Sequence, residues 1–138
     1  MANRHLARSI VLQTLFEWDT THLPAMPAHA GQAGASDVDA RTVLSRNVSE
    51  FGGDDVDQSF MDNLLSGVIA KKADIDLVIE KAAPEWPLDR IAPVDRNILR
   101  LGLYELLFAD RTQVPAKVAI NEAIELAKTF EEILPADL

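Results

Sequence analysis

The 138 residues contain no cysteine. Disulfides, thiolate nucleophiles and Cys-ligated zinc are therefore excluded, and a reducing compartment is the natural setting. No apolar run approaches the roughly 20 residues that a membrane span needs. The N-terminus has no continuous apolar stretch, because Arg8, Gln13 and Glu17 interrupt it, so it does not read as a secretory signal. The cytoplasm is the expected location, with no membrane partner. There is no G-x-G-x-x-G, no P-loop, no G-x-S-x-G and no H-E-x-x-H. His5, His22 and His29 lack metal-ligand spacing. Nothing pairs a nucleophile with a base. No enzyme, cofactor or metal is expected.

A further absence is local. The first sixteen residues, "MANRHLARSIVLQTLF", hold no carboxylate, although the chain has 13 Lys+Arg against 22 Asp+Glu and a net charge of −9. Setting aside Arg4 and Arg8 leaves 11 basic against 22 acidic residues, so everything after Phe16 carries −11. An acidic chain of this kind argues against a broad nucleic-acid surface but leaves room for a small basic site. Arg4 and Arg8, at i and i+4, share one face of a first helical turn, and His5 adds a donor. Cations at a helix N-terminus oppose the macrodipole at about 0.3–1 kcal/mol each. The placement makes physical sense where an anion arrives, and the planar arginine fork suits phosphate. Two solvated charges near a chain end are the ordinary alternative.

What is present is helical period. Ala7, Ile10, Val11, Leu15 and Trp18 make one stripe, widened by Leu12 and Phe16, which predicts a helix from about Asn3 to Asp19 with Asn3 as N-cap. "TTHLPAMPAHAGQAGAS" breaks the period and predicts a flexible loop at about 20–36. Ser36 with Asp39 resembles a capping box, and Ala40, Leu44 and Phe51 give a modest stripe. In the longest periodic stretch Met61, Leu64, Leu65, Val68, Ile75, Val78, Ile79 and Ala82 line one side, until Pro84 stops the run. "PEWPLDRIAPVD" has room for one short turn near Leu88 to Ile91, and Pro93 suits the first turn of the next helix. That helix, "PVDRNILRLGLYELLF", is apolar on most sides and is expected in the middle of a bundle. In the last, "AKVAINEAIELAKTF", Ala116, Ala119, Ile120, Ala123, Leu126, Ala127 and Phe130 form the apolar face, whose alanines allow close packing. Its polar side offers a Glu125–Lys128 pair. No segment alternates with period two. The reading is a single all-α domain over 1–138.

Two charged groups remain. Asp54, Asp55 and Asp57 in "DDVD" sit where a helix begins, and stabilisation of that helix start explains them better than a divalent cation does. "DRIAPVDRN" sets Asp89, Arg90, Asp95 and Arg96 around a proline-braced corner, either ordinary surface charge or a rigid surface for recognising another protein.

Four of these segments, "NRHLARSIVLQTLFEWD", "FMDNLLSGV", "PVDRNILRLGLYELLF" and "VPAKVAINEAIELAKTF", together resemble the NusB family of bacterial transcription antitermination factors. The resemblance implies an all-α fold of two small helical bundles. It also implies a non-enzymatic adaptor that binds boxA-type RNA of ribosomal RNA leaders with the small-subunit ribosomal protein NusE, joining other Nus factors on RNA polymerase. By resemblance the RNA-binding positions are Arg4, His5, Arg8 and Phe16, and the NusE-facing corner includes Asp89, Asp95 and Arg96. The family includes monomers and dimers, so a homodimer is open.

The basic head is thinner than in some relatives, and the loop after Asp19 is longer. The family pattern also continues past "AKTF" into one more helix, for which "EEILPADL" with Pro135 offers no counterpart. A protein–protein adaptor of the Nus complex or of ribosome assembly that has lost RNA binding is therefore the alternative expectation.

Overall fold

A computed structural model describes residues 3–21, 33–52 and 56–133. The described residues are helices and turns, and the fold is all-α. The five helices are α1 (Arg4–Thr21), α2 (Ala33–Asn47), α3 (Gln58–Ala82), α4 (Pro93–Leu107) and α5 (Ala116–Ile133). The chain divides into two compact units, Met1–Ile69 and Ala70–Leu138, and α3 supplies residues to both. The ends of the expected loop are helical, since α1 continues to Thr21 and α2 starts at Ala33. The rest of that loop and Pro135 lie outside the described residues. Ser36 falls within α2 rather than at its cap.

In the first unit, the Asn3 Oδ1 accepts the Leu6 N–H at 2.9 Å, the cap expected from sequence. The α1 stripe then buries Ala7, Ile10, Val11, Leu12, Leu15 and Trp18. Each large apolar side chain buried this way contributes about 1.5–3 kcal/mol. α1 packs on α2, where Ala40 and Leu44 are buried, and on the π-helical turn Val48–Gly52. A side chain at Gly52 would crowd that turn. A Cβ on Gly52 would lie 3.0 Å from Val56 Cγ2 and 3.3 Å from Ile10 Cδ1. Phe51, expected on the apolar stripe, is exposed instead, because the widened turn rotates it out of the α2 period. Two buried polar groups close the unit: Asn47 Nδ2 donates to Thr14 Oγ1 at 3.1 Å, and Thr14 donates to the Ile10 carbonyl at 2.9 Å.

In the second unit, Ile75 and Ile79 of α3 meet Ile91, with Leu88, Leu103 and Tyr104 packed around them. The single turn foreseen in the proline-rich corner is a 3-10 turn at Leu88–Arg90, and Pro93 opens α4 as its first residue. α4 departs from expectation. Its buried positions include Arg96, Asn97, Arg100 and Glu105 beside Ile98 and Leu101, while Leu99 and Leu107 are more than 40% exposed. With leucines on most sides, apolar period does not choose a buried face, and polar side chains that find partners decide it. α5 packs closely on α4: a Cβ on Gly102 would sit 3.1 Å from the Ala123 Cβ. Ala119 and Leu126 are buried as expected, but Ile120 is 51% exposed. Glu125 and Lys128 pair at 3.8 Å on the exposed side.

Candidate nucleic-acid interface and charged corner

The head of α1 meets the start of α3. Asp57 caps α3, its Oδ1 accepting the Phe60 N–H at 3.1 Å and its carbonyl accepting the Met61 N–H at 3.1 Å. This is the helix-start role expected of the acidic run, while Asp54 and Asp55 lie outside the described residues. The cap fixes the first turn of α3 and thereby presents the Phe60 ring. The Arg4 guanidinium carbon lies 3.9 Å from the centroid of that ring, and the Arg8 carbon lies 5.2 Å from it. Arg4 Nη2 also approaches Asp57 Oδ2 at 3.6 Å. Cation–π contact of this kind holds a guanidinium in place while leaving N–H donors for an anion.

The two arginines are not equivalent. The Arg4 side chain is 39% exposed, whereas Arg8 is 3% exposed. Two open guanidinium groups were expected; one is open and the other is buried. Position 8 faces inward because it follows Ala7 and precedes Ile10 and Val11 on the stripe that α1 buries. His5 is half-buried, and its carbonyl accepts the Ser9 hydroxyl at 2.9 Å. Phe16 is half-buried too, but it lies outside the Arg4–Phe60 cluster. At 1.5 Å and 100° per residue, it sits about 17 Å along the helix from His5 and within about 20° of it in azimuth. His5 and Phe16 therefore share one edge of α1. Sequence reasoning missed Phe60, and it placed Asp57 at a helix start without setting it beside Arg4. The available signal was an aromatic in the first turn of α3 that falls off the Met61, Leu64, Leu65 and Val68 stripe.

At the corner of the second unit, Asp89 and Asp95 are exposed. Asp95 lies in the first turn of α4, where a carboxylate favours the helix dipole. Arg96, expected on the partner-facing corner with them, is turned inward instead. It is 8% exposed, and its Nη1 donates to the Leu88 carbonyl at 2.8 Å and the Ile91 carbonyl at 3.4 Å. A guanidinium donating to carbonyls of the turn braces the corner from within. Trp86 is 64% exposed, and a shallow depression there is lined by Glu80, Pro84, Trp86, Pro87, Leu88 and Asp89.

A third buried arginine, Arg100, was not foreseen from the sequence. Arg100 Nε and Nη2 donate to the two carboxylate oxygens of Asp76 at 2.9 and 3.2 Å. Its Nη1 donates to Asn97 Oδ1 at 3.2 Å, and Lys72 pairs with the same Asp76 at 2.8 Å. Among the described residues no group of His, Cys, Asp or Glu could hold a metal ion, and no helix is long and apolar enough to cross a membrane.

Comparison with known proteins matches residues 5–135 to the model of the NusB family. The transcription antitermination protein NusB of Desulforudis audaxviator is 41% identical over 99 residues, 72% of this chain and 70% of that protein. The NusB of Roseiflexus castenholzii is 35% identical over 127 residues, covering 92% of this chain and 79% of the relative. The NusB of Desulfitobacterium hafniense strain DSM 10664 / DCB-2 is 38% identical over 128 residues, covering 93% and 76%.

Proposed function

The chain belongs to the NusB family of transcription antitermination proteins, and from that premise we propose that it is an adaptor binding boxA-type RNA of ribosomal RNA leaders together with the ribosomal protein NusE. The observation that supports the RNA contact is the carboxylate-free head of α1, with the half-exposed Arg4 fixed over Phe60. An RNA strand laid there would meet Arg4 and His5 first, with Phe16 further along the same helix. Arg8 would act from beneath, steadying the ring rather than reaching a phosphate. NusE would meet the exposed Asp89 and Asp95 at the braced corner through cationic side chains of its own. Other Nus factors and RNA polymerase would then join.

Fluorescence anisotropy with a labelled single-stranded RNA carrying a boxA element tests the first contact. Binding should weaken with salt at a slope of about −0.7 per neutralised phosphate. Arg4→Ala should weaken it about five- to tenfold and flatten the slope by up to about 0.7. Unchanged affinity removes Arg4 from the RNA contact.

The burial of Arg8 and the net charge of −11 beyond Phe16 favour a second reading, a protein-only adaptor that no longer binds RNA. Capture of NusE without any RNA binding would select it. RNA binding that disappears with Arg4→Ala would reject it.

A further inference from the structure

We propose that Asp57 is a built-in competitor for the RNA phosphate, holding Arg4 in the free protein and releasing it when the strand binds. The inference rests on the RNA reading above and concerns what that contact must displace. Asp57 does two jobs with two oxygens. Oδ1 caps α3 at the Phe60 N–H, and Oδ2 lies 3.6 Å from Arg4 Nη2. The first bond is part-buried at the helix start and fixes the carboxylate. The second joins two side chains that are 39% and 36% exposed, so an incoming anion can reach it. At 3.6 Å it is an ion contact, longer than a hydrogen bond.

Phe60 makes the exchange inexpensive. The Arg4 guanidinium lies 3.9 Å from the ring centroid, a contact that does not use the carboxylate. The arginine therefore need not be reordered when its anionic partner changes from carboxylate to phosphate. Asp57 stays in place too, because its cap bond does not depend on Arg4. Phe60 is the positioning residue, and Asp57 sets the threshold.

The exchange has a signature in salt dependence. When RNA displaces Asp57, the strand releases a counterion and the freed carboxylate recruits one, so part of the expected counterion release is cancelled. Asp57→Asn separates the two jobs, because asparagine is as good an N-cap as aspartate. The variant keeps the α3 start and loses the competitor. Anisotropy with the same boxA RNA should show about two- to fivefold tighter binding, the range an exposed ion pair supports. The salt slope should steepen by up to about 0.7. Both gains should vanish in the Arg4→Ala background, and Asp74→Asn, an exposed acid elsewhere on α3, should leave binding unchanged.

Matching thermal melts for wild type and Asp57→Asn establish that the cap survives. Unchanged or weaker RNA binding by Asp57→Asn, while Arg4→Ala still weakens binding, overturns this proposal alone. Equal tightening in the Arg4→Ala background also overturns it, since general charge repulsion would then be the cause. Absence of RNA binding by the wild type overturns this proposal and the RNA reading together.

Discussion

Truncating Asp76 to alanine should be among the most damaging single changes in the second unit. The Arg100 side chain is 4% exposed and the Asp76 side chain 14%, with two hydrogen bonds between them at 2.9 and 3.2 Å. Removing one partner of such a pair leaves an uncompensated buried charge, which costs about 3–5 kcal/mol. Two local features adjust the figure in opposite directions. Asn97 Oδ1 remains as a neutral acceptor at 3.2 Å. Lys72, which pairs with Asp76 at 2.8 Å, becomes a second cation without its carboxylate. The expected loss is about 3–4 kcal/mol, a large share of the 5–15 kcal/mol that holds a typical domain together. With a urea m-value of about 1.5–2 kcal/mol per molar, the unfolding midpoint should fall by about 2 M. Urea titration followed by far-UV circular dichroism reads it. The double variant Asp76→Ala with Arg100→Met tests the cause, because it removes the stranded guanidinium as well. It should be more stable than Asp76→Ala alone. A midpoint shift below about 0.5 M for Asp76→Ala, or strictly additive losses in the double variant, refutes the reasoning.

Gly102→Val should destabilise by about 2 kcal/mol, since even a Cβ would lie 3.1 Å from Ala123; Gly102→Ala should be nearly neutral, as its helix-propensity gain of about 1 kcal/mol offsets a lighter clash. Thermal melts check this, and equal melts for valine and wild type would show that α4 and α5 do not approach so closely. Arg96→Met should keep the packing of the side-chain stem but lose the bonds to the Leu88 and Ile91 carbonyls. Amide hydrogen exchange should then speed up across 88–91, and NusE capture should weaken although Asp89 and Asp95 are intact; unchanged exchange would deny the brace. The Asp110 carboxyl should titrate below the usual aspartate range, held there first by the Thr112 hydroxyl and then by the Thr112 N–H, against a smaller opposing effect of burial. A depressed folded-state pKa means this turn's contribution is present above the unfolded-state value and is lost as pH falls through the folded one. Carboxyl NMR of Thr112→Ala should move the midpoint up, and no movement would remove the hydroxyl as the cause.

The helices were legible where one physical rule spoke alone. Asn3 before an apolar stripe, Pro93 at a helix start and three prolines in a corner have few competing readings, and each sits where expected. The inner face of α1 was legible for the same reason, because a single stripe ran the length of the helix. α4 was not. Leu99, Leu103, Leu106 and Leu107 give it apolar residues on several sides, so the period carries no preference. The face was settled by Arg100 finding Asp76, a partner 24 positions earlier, which no local window contains. Phe51 failed for a different reason. A π-helical turn shifts the register of whatever follows, and its sequence cue, Gly52, is also an ordinary helix stop.

The candidate site divides along the same line. Charge counting located the head of α1, because an absence of carboxylates over sixteen residues in a chain of −9 is a signal that survives without coordinates. It could not rank Arg4 against Arg8. Both are arginines on one face, and only the depth of the α1 stripe distinguishes the 39% exposed side chain from the 3% exposed residue. The same ambiguity hid Arg96. In a sequence, an arginine that braces a turn through carbonyls and one that meets solvent are the same letter. What separates them is whether backbone acceptors converge on the guanidinium, as the Leu88 and Ile91 carbonyls do here. Acids at the same corner are easier to place, because a carboxylate that lacks donors stays at the surface. The exposed charge of Asp89 and Asp95 and the buried charge of Arg96 are therefore complementary parts of one corner: the arginine fixes the backbone, and the fixed backbone holds the aspartates at the surface.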